Sequence, residues 1–239
     1  MITQATAPST SDVVYPDSDG EPMADNTLQY EWIHTIKSGL DNVFADDPDV
    51  FVAGDLLWYP VEGDNKTRTA PDALVAIGRP KGYRGSYRQW EEAGIAPQVV
   101  FEVLSPGNRP AEMARKRDFY EEHGVEEYYI YNPNGPQIEG YIRRDGRLEE
   151  IPQMHGWISP RLGIQFELVP GSDLTIREPD GSPFMTHQQV IQARDAETER
   201  ADRIAAKADR LSAKADRLSA KADRLAAKLK EMGIDPDEV

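Results

Sequence analysis

A short apolar run with one acid inside it places the tightest limit on the fold. Residues 97–104 read PQVVFEVL, so Glu102 interrupts a series of Val, Phe and Leu side chains. Such a run is typical of a strand that is buried on both faces of a sheet. Burial of a carboxylate is costly unless cations or hydrogen bonds compensate it. Glu102 therefore requires partners from segments that fold against this strand.

Two segments can supply those partners. Upstream, Asp72 follows Pro71 at the start of an apolar stretch that runs to Gly78, and downstream a helical segment carries Lys116 between two arginines. Two acids and a lysine in one place indicate a metal site. Taken alone, Asp72 fits a turn residue after proline equally well, and for Lys116 an ordinary surface lysine is the favoured interpretation.

Composition limits the class of protein. The 239 residues are 39% hydrophobic and 29% charged, and no apolar run approaches 18 residues, which predicts a soluble protein without a membrane span. The N-terminus lacks the pattern of a signal peptide. The absence of cysteine excludes disulfides, a thiol nucleophile and cysteine-ligated metal. We therefore expect a cytoplasmic protein with one main domain and an appendage.

The net charge of -15 opposes long-range attraction to nucleic acid. The charge is uneven, because residues 201–231 hold nine Lys or Arg and five Asp or Glu. Any contact with nucleic acid must therefore be local.

The chain divides by pattern into four parts. Residues 1–26 read as an irregular arm, 27–185 as the main domain, 186–232 as a long helix and 233–239 as a tail. Within the main domain, a helix is expected from Thr27, a hairpin from 50–59 and 71–78, and a helix from Pro110 to His123. Further strands are expected at 128–132, 137–143 and 147–151, with a last one within 157–167.

Several other polar residues are weaker candidates for a site. Glu31 and His34 lie near the apolar stripe of the first helix, where a solvated acid and a half-buried histidine are the favoured interpretations. Asp55 lies within a predicted strand, as Glu102 does, but no motif supports it. We keep Glu31 and Asp55 as accessory candidates.

The loop RPKGYRGSYRQW, residues 79–90, interleaves basic and aromatic side chains. Such a pattern suits phosphate contacts and base stacking, whereas a solvated loop whose aromatics pack on the domain has equal weight. Its candidate nucleic-acid contacts are Arg79, Lys81, Arg84 and Arg88.

A seven-residue repeat, ADR(I/L)(A/S)AK, fills residues 201–228. Alanine recurs at position a, Ile204 and then leucine recur at position d, and lysine recurs at position g, which predicts a coiled coil. Lysines at g would face each other in an antiparallel pair, so we expect a parallel homo-oligomer.

The ordered motifs of residues 71–133 resemble those of the bacterial Uma-two family of restriction endonucleases. The resemblance covers about residues 27–180, and the tail that begins at Met232 is also typical of that family. The family is similar to the PD-(D/E)xK nuclease superfamily. The motifs are Pro71-Asp72, Glu102-Val103-Leu104-Ser105-Pro106, Lys116 with Tyr120, Gly124 to Ile130 as GVEEYYI, and Asn132-Pro133.

The resemblance implies an α/β fold with a restriction-endonuclease-like mixed sheet flanked by helices. It also implies that Asp72, Glu102 and the carbonyl of Val103 bind Mg²⁺ or Mn²⁺, and that Lys116 is catalytic. The superfamily lysine would stand at Leu104, and in this family it is displaced to the following helix. Glu112, four residues before Lys116, could carry part of the site.

Two hypotheses about function follow. The first is a metal-dependent endonuclease that acts on nucleic acid, with DNA favoured, through Asp72, Glu102 and Lys116. The second is a non-catalytic scaffold with a nuclease-like fold that self-associates or recruits partners through the coiled coil. The complete set of site residues favours the enzyme, while the acidic surface and the missing strand lysine favour the scaffold.

Overall fold

The computed structural model describes residues 13–233. The residues 1–12 of the expected arm and 234–239 of the expected tail lie outside the described part. The chain divides into two units, the first ending at His187 and the second starting at Gln188. The elements are α1 (Thr27–Val43), β1 (Val50–Gly54), β2 (Trp58–Tyr59), β3 (Ala73–Ile77), β4 (Tyr87–Arg88), β5 (Val99–Val103), α2 (Pro110–Glu122), β6 (Glu127–Asn132), β7 (Gln137–Arg144), β8 (Arg147–Glu150), β9 (Gln165–Glu167), β10 (Thr175–Arg177) and α3 (His187–Glu231).

Six strands form the central sheet, in the order β1-β3-β5-β6-β7-β8. Only β5 and β6 run parallel within it, and every other neighbouring pair is antiparallel. A parallel pair requires a crossover connection, which α2 provides. The mixed α/β sheet with flanking helices is therefore confirmed.

The central strand β5 is buried along its whole length, as the apolar run predicts. Its side chains alternate between two cores. Val99, Phe101 and Val103 belong to the core beneath α1, and Val100 belongs to the core beneath α2. By the same alternation Glu102 faces the side of the sheet that α2 covers.

Local signals explain where the two flanking helices begin and end. The side chain of Asn26 accepts a hydrogen bond from the backbone nitrogen of Gln29 and so caps α1. Pro110 opens α2, and Gly124 follows its end at φ 97°, a conformation that glycine adopts without strain. Gly39 of α1 leaves room for the ring of Phe184, which would lie 2.2 Å from a β-carbon at that position.

The structure differs from the sequence-based prediction after β8. The strand expected within 157–167 is reduced to β9, because residues 159–163 form a tight turn in which the backbone nitrogen of Gly163 donates to the carbonyl of Ser159. Instead, β9 pairs with β10, a strand that was not predicted. The two short strands contribute Phe166 and Ile176 to the core beneath α1.

The second unit consists mainly of the 45-residue helix α3. Its d-position side chains Ile204, Leu211, Leu218 and Leu225 are 54–61% exposed in the single chain. Between residues 13 and 233, no helix combines the length and apolar character that crossing a membrane would require.

Candidate active site

Two buried carboxylates meet where β3 and β5 lie side by side. Asp72 directly precedes β3, and Ala73 pairs with Phe101, so Asp72 lies beside Glu102. Asp72 is 9% exposed and Glu102 is 3% exposed. The backbone nitrogen of Val103 donates a hydrogen bond of 2.6 Å to Asp72 Oδ2. Strand pairing therefore fixes both acids before any ligand binds.

Helix α2 supplies the partners that burial of Glu102 requires. Lys116 Nζ donates to Glu102 Oε2 at 2.8 Å, and the hydroxyl of Tyr120 donates to Oε1 at 2.5 Å. Residues four apart lie on one face of a helix, so Lys116 and Tyr120 reach the same carboxylate. The structure thus brings Asp72, Glu102 and Lys116 together.

These contacts and burial change the proton affinities of the site. Burial and then repulsion from Glu102 raise the pKa of Asp72 well above its ordinary value, against the opposing effect of the Val103 hydrogen bond. Burial alone would lower the pKa of Lys116, but attraction to Glu102 and the hydrogen bond between them raise it above its usual range. The lysine is therefore held as a cation, while the raised pKa of Asp72 means that its ionised form would be stabilised by a second cation.

The three residues line a cleft of about 420 Å³, named here the carboxylate cleft. Asp55 and Glu112, both weaker candidates in the sequence, also line it. Asp55 follows β1 at φ 46°, a left-handed conformation that few residues other than glycine adopt and that aspartate adopts more readily than most. Burial raises its pKa. Glu31 is exposed and lies outside the lining of the cleft.

The Val103 carbonyl, expected as a metal ligand, already accepts a hydrogen bond of 2.8 Å from the side chain of Gln29. Gln29 is buried in α1 and its own Oε1 accepts from the backbone nitrogen of Asp25 at 2.8 Å. A carbonyl has two lone pairs, so one remains for another ligand. Sequence reasoning missed Gln29, because a lone glutamine in a helix gives no signal of a contact 74 residues away.

The N-terminal arm also lines the carboxylate cleft, through residues that include Asp19, Glu21 and Asp25. The hydroxyl of Ser105 donates to Asp25 Oδ2 at 2.5 Å. Together with Asp55, Asp72, Glu102 and Glu112, these make seven acids in the lining, against the two cations Arg68 and Lys116. The cleft is therefore strongly acidic.

The arm is tied to the domain through Tyr15. Its ring lies edge-on to that of Tyr59 at 5.2 Å, and its hydroxyl accepts from the backbone nitrogen of Gly63 at 2.6 Å. The hydroxyl of Tyr59 donates in turn to the carbonyl of Pro16 at 2.8 Å. These contacts hold the start of the described arm against the domain, and the acidic residues that follow it line the carboxylate cleft.

Two arginines of the loop at residues 79–90 form ion pairs within the chain. Arg79 Nε and Arg84 Nε donate to the two oxygens of Glu92 at 2.7 and 2.5 Å. The hydrogen bond from Arg84 is the largest of the effects that lower the pKa of Glu92. Sequence reasoning missed Glu92 as their partner.

The other two cations of this loop are also engaged. Lys81 Nζ donates to the carbonyls of Phe44 and Ala45, just after α1, at 2.5 and 2.8 Å. Arg88 pairs with Glu91 at 3.3 Å and lies over the ring of Tyr15. The contact of these four side chains with nucleic acid stays a prediction.

The donor set of the carboxylate cleft fits a hard divalent cation. No group of three or more Asp, Glu or His in residues 13–233 is placed to hold a metal ion by itself. Magnesium, however, keeps several waters and is commonly bound by one or two carboxylates together with substrate phosphates. Asp72 and Glu102 supply that number, and their mutual repulsion would be relieved by a cation.

The mixed sheet carries two buried carboxylates, and its crossover helix carries the lysine beside them. These are the residues to which the sequence resemblance assigns a nuclease site. The family model "Uma2: Putative restriction endonuclease" matches residues 21–176. The chain belongs to this family.

Comparisons with individual proteins add little detail. The structure is similar to that of a "putative nuclease belonging to DUF820" from Anabaena variabilis, with 15% identity and a TM-score of 0.44. The match covers 58% of this chain and 75% of the other. No curated protein matches the sequence.

Proposed function

We propose that the protein is a metal-dependent nuclease that hydrolyses phosphodiester bonds of nucleic acid in the carboxylate cleft. The observation that carries this proposal is the buried Glu102, placed beside Asp72 and hydrogen-bonded to Lys116. Family membership supports the same chemistry. DNA is the first substrate to test, and the absence of cysteine is consistent with action in the cytoplasm.

Each residue has a distinct role in this proposal. Asp72 and Glu102 would hold Mg²⁺ or Mn²⁺, with the free lone pair of the Val103 carbonyl as a further donor. The bound cation would lower the pKa of a water molecule and neutralise charge on the phosphate. Lys116 contributes a fixed positive charge that stabilises negative charge as it develops on the phosphate oxygens. Tyr120 holds Glu102 in position by its hydrogen bond.

Calorimetric titration with magnesium tests the first step. We expect the intact protein to bind Mg²⁺ and both Asp72→Ala and Glu102→Ala to lose binding, since each removes one of two carboxylate ligands. Asp46→Ala serves as the control, because Asp46 is exposed and lies outside the cleft. Cleavage of plasmid and of single-stranded DNA, with and without EDTA, then tests activity. Magnesium binding that survives both substitutions would contradict the proposal.

A scaffold role is the second candidate. The observation that favours it is the exposed row of d-position side chains on α3, which a second copy of the helix would cover. A protein that binds no magnesium but self-associates through α3 would fit this role instead.

A further inference from the structure

A second cleft lies at the ends of the two parallel strands. It has a volume of about 460 Å³, and its lining includes Leu104, which follows β5, and Asn132, which ends β6. In open α/β sheets, ligands bind in the crevice outside the carboxyl ends of parallel strands. Asn108 lines both this cleft and the carboxylate cleft, so the two are neighbours.

Helix α2 separates the two clefts. Glu112, Lys116 and Tyr120 follow each other at intervals of four residues on the side of Glu102. Arg109, Met113 and Arg117 form a second row with the same spacing, and all three line the second cleft. A rotation of about 100° about this helix, the step from one residue to the next, therefore leads from Lys116 in the carboxylate cleft to Arg117 in the second cleft.

The two clefts differ in charge. In the second cleft the only ionised groups of the described residues are Arg109, Arg117 and Glu139, whereas acids predominate in the carboxylate cleft. No ion pair or hydrogen bond of the Arg109 side chain occurs within residues 13–233, so Arg109 remains available to an anion. Arg117 has its nearest carboxylate, Asp118, at 3.8 Å, and its guanidinium lies 5.6 Å from the ring centre of Tyr141, with which it also forms a side-chain hydrogen bond. Arg117 is thus held at the wall of the cleft by Tyr141 and is not neutralised by a close carboxylate.

The lining also suits the flat, apolar faces and polar edges of a nucleobase. Leu104, Met113 and Ile130 supply apolar surface. The side-chain oxygens of Asn108 and Asn132 accept from the backbone nitrogens of Ser105 and Asn134. Within the described part of the chain, their amide nitrogens donate to no partner. A half-enclosed apolar pocket with a few such donors is typical of sites that recognise small ligands.

We propose that the second cleft binds one nucleotide of the nucleic-acid strand, next to the phosphate that lies in the carboxylate cleft. Arg109 and Arg117 contact its phosphate, the apolar residues contact its unstacked base, and Asn132 donates to the edge of that base. This inference rests on the proposed nuclease function for the identity of the ligand. It explains how a protein of charge -15 could hold a polyanion: the attraction is local and lies beside the acidic cleft.

The test is fluorescence anisotropy with a labelled single-stranded thymidine 12-mer and a 12-mer of abasic residues, both in calcium. Arg109→Gln and Arg117→Gln are each compared with Arg115→Gln. Arg115 is exposed on the same helix but lines neither cleft. Asn132→Asp keeps the oxygen that bonds Asn134 and removes the amide donor. Thermal unfolding confirms that each variant is folded.

We expect Arg109→Gln and Arg117→Gln to weaken binding of both oligomers about tenfold and to reduce the salt slope by about 1 each, while Arg115→Gln has a smaller effect. The intact protein should prefer the thymidine oligomer, and Asn132→Asp should reduce this preference. Equal losses in all three arginine variants, equal binding of the two oligomers, or no binding of either would overturn the inference.

Cleavage by the intact protein in magnesium is measured separately. If the protein cleaves in a metal-dependent way but the arginine and base effects are absent, the nucleotide site is refuted and the nuclease function is retained. If those effects are present but cleavage is absent, the nuclease function is refuted and the nucleotide site is retained.

Discussion

At the scale of single residues, the site depends on an acid that resists ionisation. Burial and the neighbouring Glu102 raise the pKa of Asp72, so the folded chain binds a proton there more tightly than the unfolded chain does. As the pH rises above 3.8, the ordinary value for aspartate, ionisation of Asp72 therefore removes stability from the folded state. A cation in the cleft would offset this loss.

Asp72→Asn is expected to stabilise the metal-free protein at neutral pH. The amide can still accept the hydrogen bond from Val103, but it carries no buried charge. The melting temperature should therefore rise, by about 2–4 °C for each kcal/mol of stability that removal of the buried charge contributes. Differential scanning calorimetry from pH 5 to 8 measures this, and the advantage should grow with pH. A variant that is less stable than the intact protein at every pH would refute the argument.

Lys116→Met is expected to reduce the rate of cleavage about 10²- to 10³-fold, because it removes a fixed positive charge from the reacting phosphate. Magnesium binding should persist, since both carboxylates remain. Initial rates and calorimetry on the same preparation separate the two effects. Arg115→Met is the control, and Lys116→Arg should recover part of the activity. Rates within a few-fold of those of the intact protein would exclude a catalytic role for Lys116.

The residues of the site were unequally predictable. The need of Glu102 for a partner is visible in the sequence, because an acid inside an apolar strand is costly, and Lys116 lies only 14 residues away. Gln29 and the acids of the arm come from distant segments that reach the cleft only through the fold. The ion pairs of Arg79 and Arg84 were equally unpredictable, because no local pattern indicates that both arginines bind Glu92.

At the scale of elements, α1 contains a glycine at position 39 because the ring of Phe184 occupies the space that a side chain there would fill. A β-carbon at residue 39 would come within 2.2–2.5 Å of three ring atoms of Phe184. The sequence shows Gly39 only as a weak point of a helix, since its neighbour in space lies 145 residues later in the chain.

Gly39→Ala should therefore lower the free energy of unfolding by about 1–3 kcal/mol, although alanine is the better helix former. Urea denaturation measures the change. Gly135→Ala is the matched control, since no atom lies within 4 Å of a β-carbon there. Combination with Phe184→Leu should recover part of the loss, and a stabilising effect of Gly39→Ala alone would contradict the packing argument.

The arm is the second element whose role can be tested. Asp19 and Glu21 add negative charge to the cleft in which the proposed function places a phosphate, so Asp19→Asn with Glu21→Gln should increase the affinity for nucleic acid several-fold at low salt. Asp46→Asn with Glu150→Gln makes the same change in net charge at exposed positions outside the cleft. Equal gains in both double variants would show that only net charge matters.

Elements with a strong periodic pattern were predicted from the sequence, whereas elements with only a weak local pattern were not. The helices α1 and α2 and the strands β5 to β8 were expected within a few residues of their positions. Trp58 and Tyr59 lie within the strand expected over 50–59, but the backbone leaves the extended conformation at Asp55, with φ 46°, and these two residues form the separate strand β2. The two-residue strand β4 and the three-residue strand β10 are too short to show a period.

At the scale of the whole molecule, the chain separates two kinds of surface. The first unit buries its apolar residues, whereas α3 leaves its d-position residues exposed. A parallel homo-oligomer that covers this row stays a prediction of the heptad pattern.

Light scattering on the intact protein and on a chain without residues 195–239 tests whether α3 forms this homo-oligomer. We expect the shortened chain to have the mass of a monomer and the intact chain a multiple of it. Leu211→Asp with Leu218→Asp should have the same effect as truncation, because both substitutions place charges in the seam. An oligomer unchanged by either alteration would place the interface elsewhere.

No residue of α3 is buried, so its backbone hydrogen bonds are not protected by packing. A helix whose hydrogen bonds are not backed by packing opens locally at little cost, so its amides should exchange with deuterium far sooner than those of β5. Assembly would slow exchange along α3 alone and leave the rates of the sheet unchanged. Exchange rates across residues 187–231, followed as the protein is diluted, would thus give the dissociation constant of the helix from a signal that the first unit does not share.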